Sequence, residues 1–118
     1  LVVPTDADAY RTILGNLLEN ACKYAPADTL IRVLLQQATT SRQVTLEVSD
    51  QGPGVPEEDR AHLFERFFRG GHEETRQAKG TGLGLYIVHR LAAELGGEVT
   101  FSPGPSGGAI FAVVIPER

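Results

Sequence analysis

The chain has 118 residues, 42% of them apolar and 22% charged, the proportions of one soluble globular domain with a single core. No apolar run approaches the ~20 residues of a transmembrane helix, and a net charge of −4 argues against a general nucleic-acid binder. Cys22 is the only cysteine, which excludes internal disulfides and cysteine metal clusters and points to a reducing setting.

The opening residues, Leu1 to Asp6, lack a basic flank and a long apolar core. They read as the tail of a strand entering a helix cap, as in a domain cut from a longer chain, rather than as a signal peptide. Thr5 or Asp6 is placed to cap a helix running to about Tyr24, where Pro26 stops it. At 100° per residue, Ile13, Leu14, Leu17, Leu18, Ala21 and Cys22 cover one half of that helix. Asn16, Glu19, Asn20 and Lys23 fall together on the other side.

Strands are expected at 29–37 and 43–49, joined by the polar turn ATTSR. In the second, Val44, Leu46 and Val48 alternate with Thr45, Glu47 and Ser49. Period two then carries Asp50 onto the apolar face. A short helix follows near 57–64, opened by Pro56 with three acidic residues in its first turn. Residues 70–80 hold no apolar residue except Ala78 and no periodicity, so they read as a long functional loop. A helix from about Leu83 to Leu95 ends at Gly96-Gly97, and strands at 98–102 and 108–115 close the chain. Helices and antiparallel strands without regular βαβ alternation predict a two-layer α+β sandwich over one domain, residues 1–118. The almost wholly apolar 108–115 is its expected central strand.

Four stretches carry candidate chemistry. In NLLENACKY, 16–24, two asparagines four apart on one face sacrifice helix propensity. Their amide oxygens suit Mg²⁺, a hard cation that shares ligands with phosphates. Lys23 on the same face could reach a phosphate and Tyr24 could stack on a base; a plain solvated face is the ordinary alternative. DQGPGV, 50–55, is a tight turn on its own terms. An inward Asp50 carboxylate nevertheless needs donors, and the amino group of a purine is one. Gly52 and Gly54 would let backbone approach a flat ring.

In LFERFFRG, 63–70, Phe64, Phe67 and Phe68 have helical spacing and read as core anchors. Arg66 and Arg69 stand at the entrance to the polar loop, where phosphate contacts become possible. Lys23, Arg66, Arg69, Arg76 and Lys79 are the candidate anion-binding cations, four of them within 14 consecutive positions. GTGLGL, 80–85, follows a polar loop rather than a strand, so it is not a dinucleotide fingerprint, and no P-loop pattern occurs. It is a glycine-rich entry to a helix N-terminus, suited to an anion or to hinge motion.

The order NLLENACKY, DQGPGV, LFERFFRG, GTGLGL resembles the N, first glycine, F and second glycine boxes of sensor histidine kinases, over nearly all 118 residues. The resemblance implies the Bergerat ATP-binding fold: a mixed, largely antiparallel sheet covered on one face by about three helices. It implies Mg-ATP as ligand and transfer of the γ-phosphate to a histidine on a separate dimerisation domain. By position, Asn20 resembles the Mg²⁺-binding asparagine, with Asn16 and Glu19 supporting. Lys23 resembles the phosphate-contacting lysine, Tyr24 the residue packed on adenine, and Asp50 the acceptor of the adenine amino group, with Gly52 and Gly54 shaping the pocket. Arg66 or Arg69 would contact phosphate or assist transfer. Residues 70–80 resemble the ATP lid, and Lys79, Gly80, Thr81, Gly82, Leu83 and Gly84 would line the phosphates. Gly107 and Gly108 fall near a further small-residue turn of the family.

His62, His72 and His89 lack the family's phosphoacceptor setting, so the acceptor domain is expected outside this chain. That makes the fragment a monomer that does not phosphorylate itself. Its partners are the dimerisation domain and, indirectly, a response regulator, with no nucleic acid and no direct membrane contact, on the cytoplasmic side of the cell. Two alternatives share the fold. One is a gyrase- or chaperone-type hydrolase, which places a glutamate where this chain has Asn16. The other is a nucleotide-gated module or an anti-sigma serine kinase.

Overall fold

The computed structural model describes residues 4–66 and 83–116. Helix α1 spans Pro4–Tyr24, so Thr5 and Asp6 fall within its first turn. It stops because a residue preceding proline is disfavoured in the helical region; Ala25 still donates to the Ala21 carbonyl at 2.8 Å. Strands β1 (Arg32–Ala38) and β2 (Gln43–Ser49) form an antiparallel hairpin. The first begins three residues later than the alternation suggests. A 3₁₀ helix covers Glu57–His62, shorter than the helix expected over 57–64. Helix α2 spans Gly84–Glu94, and β3 (Glu98–Pro103) and β4 (Ala109–Pro116) complete the sheet.

The strand order is β1-β2-β4-β3, and all three ladders are antiparallel. Strand β4 is central, as its apolar composition predicts. α1 lies against β2, α2 lies against β3 and β4, and the two helices pack on each other. The buried core takes Ile13, Leu17 and Ala21 from α1, spaced by four so that they form one stripe. Val88 and Ala92 from α2 and Leu95 just after it meet Leu46, Val48, Val99, Phe111, Val113 and Ile115 on the facing side of the sheet. Gly96 at φ 84° closes α2, with Gly97 donating to Ala92 and Gly96 to Ala93, the paired bonds of a Schellman cap.

One apolar expectation fails at the periphery, and one apolar run stays outside the core. Cys22 is exposed, because the buried stripe of α1 is narrower than half the helix. All seven residues of β1 are exposed, with Leu35 at 68% and Val33 at 46%. β1 is an edge strand beyond the reach of α1, which sits over β2.

Candidate functional site

Strand parity holds at Asp50. Asp50 is the one buried charged residue among those described, 7% exposed. Its backbone N–H extends the β2–β4 ladder by donating to the Ala109 carbonyl at 3.0 Å, which keeps its side chain on the face of Val48 and Leu46. Its Oδ1 accepts from the Gly52 amide at 2.8 Å. The local turn bond and the inward placement are therefore both present, and the first helps to hold the second.

Backbone crowds around this carboxylate. A Cβ on Gly52 would stand 2.7 Å from the Tyr24 carbonyl oxygen and 3.0 Å from Asp50 Oδ1. A Cβ on Gly108 would stand 2.0 Å from the Asp50 carbonyl oxygen, and one on Gly54 3.1 Å from the carbonyl oxygen of Gly108. The end of α1, the turn after β2 and the turn before β4 thus meet at one point. Tyr24, Asp50, Gly52 and Gly54 are brought together, and Gly108 joins them. The Gly107-Gly108 doublet carried only a faint positional signal in the sequence; the close fit of Gly108 under Asp50 depends on a contact between distant segments.

The polar face of α1 forms the other part of the site. Asn16 Nδ2 donates to the Thr12 carbonyl at 2.9 Å, which leaves its Oδ1 as the outward acceptor. That oxygen lies 3.2 Å from where a Cβ on Gly84 would stand, so the N-terminus of α2 abuts the asparagine. Leu83 precedes α2 in helical conformation, and its carbonyl accepts from the Ile87 N–H at 2.8 Å. Asn20 is half-buried one turn beyond Asn16. Lys23 Nζ is 3.8 Å from Glu19 Oε1 across an exposed turn; an exposed pair at that separation is weak and can yield to a stronger anion. Oxygen ligands at Asn16, Asn20 and Glu19 fit a hard divalent cation that completes its shell with water and phosphate. Among the described residues no group of three His, Cys, Asp or Glu side chains could hold a metal.

Phe64 is anchored as expected, edge-on to Phe111 with ring centroids 6.2 Å apart and stacked on His89 at 6.0 Å. That anchor fixes the backbone just before Arg66, whose guanidinium lies 5.9 Å from the Tyr86 ring centroid. Tyr86 had no motif to signal it in the sequence. Phe67, Phe68, Arg69, His72, Arg76, Lys79, Gly80, Thr81 and Gly82 lie outside the described residues.

Residues 5–118 match the family model for histidine kinase-, DNA gyrase B-, and HSP90-like ATPases. The chain belongs to this family. It is an ATP-binding catalytic domain of the sensor histidine kinase type. It is 39% identical over 116 residues to the sensor histidine kinase TmoS of Ectopseudomonas mendocina, covering 98% of this chain and 12% of TmoS. The same identity and length relate it to the probable sensor histidine kinase TcrY of Mycobacterium tuberculosis, again covering 98% of this chain, and 24% of TcrY. The chain therefore spans a quarter or less of these two relatives. Among solved structures, the mycobacterial sensor histidine kinase MprB superposes with a TM-score of 0.79 at 31% identity, over 94% of this chain and 72% of that one. Full-length ShkA in complex with AMPPNP superposes with a TM-score of 0.74 at 36% identity, over 92% and 21%. No helix among the described residues is long and apolar enough to cross a membrane.

Proposed function

We propose that this domain binds Mg-ATP and passes its γ-phosphate to a histidine on a separate dimerisation domain of the same kinase. The observation that carries the reading is the buried Asp50 carboxylate, pinned by Gly52 where the ends of α1 and β2 meet the turn before β4. A carboxylate enclosed this way selects a ligand that donates hydrogen bonds. The 6-amino group of adenine is such a donor, and Tyr24 borders the same point.

The phosphates then run toward the N-terminus of α2, whose first N–H groups have no partners within the helix. Gly84 leaves room for them beside Asn16. Lys23 and Arg66 supply positive charge, and Arg69, Lys79, Gly80, Thr81, Gly82 and Leu83 complete the set in this reading. Asn20, with Asn16 and Glu19, would hold Mg²⁺, which neutralises charge on the phosphate oxygens when bound. The chain's own task is to position the γ-phosphate and offset its charge. The acceptor histidine, and any base beside it, belong to the partner domain. His62 is paired with Glu65 at 2.8 Å and His89 is stacked on Phe64.

Water activation by this chain is disfavoured by Asn16, an amide that cannot take a proton, at the place where the family's hydrolases carry their glutamate. Glu19 is exposed and paired with Lys23. The domain acts on the cytoplasmic side, as a monomer that reaches a response regulator only through the phosphorylated histidine. The test is incubation with γ-labelled ATP, alone and with an acceptor domain supplied in trans. Label should reach histidine only on the acceptor; label on a histidine of this chain, or rapid phosphate release without acceptor, would overturn the proposal.

A further inference from the structure

Tyr86 sits in the first turn of α2, half-buried, and two guanidinium groups converge on its ring. Arg90, one turn further on, lies 5.9 Å from the centroid, and its Nη1 donates to the Tyr86 hydroxyl at 3.0 Å. Arg90 Nη2 is in turn 3.8 Å from Glu94 Oε2. The hydroxyl, and after it Glu94, push the Arg90 guanidinium further up from its already high range. Arg90 is thus held on the helix surface and steadies the ring through its hydroxyl. Arg66 reaches the same ring from the segment that follows the 3₁₀ helix, also at 5.9 Å.

We propose that Tyr86 is a positioning residue that holds the Arg66 guanidinium beside the N-terminus of α2, where the phosphates of the nucleotide are read to lie. The inference rests on the nucleotide reading above and names a residue that no motif marks. Arginine carries many rotamers, and its planar fork recognises phosphate only when it is oriented. A ring face attracts the cation through its quadrupole. Such a contact in itself consumes no N–H donor of the guanidinium. The Tyr86 hydroxyl accepts from Arg90, and Arg66 lies against the ring.

The test compares Tyr86→Leu, Tyr86→Phe, Arg66→Ala and the Arg66→Ala/Tyr86→Leu pair by calorimetric titration with ATP and with adenosine. Tyr86→Leu should weaken ATP about three- to fivefold, the size of an exposed cation–π contact, and leave adenosine unchanged. Tyr86→Phe should retain ATP affinity, and Tyr86→Leu should add nothing once Arg66 is alanine. Equal losses for ATP and adenosine would assign Tyr86 to the general architecture and overturn the proposal. So would additive losses in the pair, or a Tyr86→Leu variant without effect when Arg66→Ala has one; each of these leaves the nucleotide reading standing. An Arg66→Ala variant that binds ATP normally removes Arg66 from the phosphate site, and this proposal with it.

Discussion

Asp50 and Gly52 are held in one geometry by a single hydrogen bond: the Gly52 amide donates to the Asp50 carboxylate at 2.8 Å, and glycine at 52 leaves room for the Tyr24 carbonyl beside it. The carboxylate's aim therefore depends on a residue with no side chain. Changing Gly52 to alanine would put a methyl group 2.7 Å from that carbonyl oxygen, a contact that the end of α1 or the turn must relieve by moving. The expected cost is about 1–3 kcal/mol of stability, read by urea denaturation, with ATP affinity lost in parallel. An alanine variant with unchanged stability and affinity would show that the contact is slack.

Asp50→Asn separates recognition from folding. The asparagine carbonyl can still accept from Gly52, so the turn should survive. The second carboxylate oxygen becomes an NH₂ donor facing an adenine donor. Losing a hydrogen bond to a charged acceptor is worth about 1.5–3 kcal/mol, which is roughly 10- to 100-fold in affinity for ATP by calorimetry. Unchanged ATP affinity would reject the base-recognition role of Asp50.

The glycine doublet before β4 offers an internal contrast. Gly107 and Gly108 both have positive φ, 97° and 85°. A Cβ on Gly107 meets nothing within 4 Å, whereas one on Gly108 would collide with the Asp50 carbonyl oxygen at 2.0 Å. Gly107→Ala should cost only the backbone term, about 1–2 kcal/mol. Gly108→Ala should cost more than that and displace Asp50, seen as a lower denaturation midpoint and weaker ATP binding. Equal midpoints for the two variants would refute the packing argument.

Asn20→Ala should remove the part of ATP affinity that depends on Mg²⁺. Titrations with and without excess EDTA should differ for the parent chain and coincide for the variant. A variant that keeps the full Mg²⁺ increment would move the cation site away from Asn20.

The local features were legible because their causes are local. Alternation of side chains along β2 predicted the burial of Asp50, and the apolar half of α1 read at 100° per residue contained the narrower stripe of Ile13, Leu17 and Ala21 that the helix buries. Periodicity could not reveal how far the helical layer extends. The run TLIRVLL looks like core, yet β1 stands at the sheet edge and its leucines remain exposed. Cys22 shares this cause, since the width of a buried stripe depends on what faces it.

The sequence by itself determined the element order, the inward aspartate and the four boxes that carry the family likeness, all of which are short-range patterns. Only the tertiary structure decided that Gly108 packs under Asp50, that Gly84 abuts Asn16 and that Tyr86 receives Arg66. Those contacts join residues 20 to 68 positions apart. Which distant residues meet is settled by how the two helices and the sheet pack together, and no pattern along the chain encodes that meeting directly.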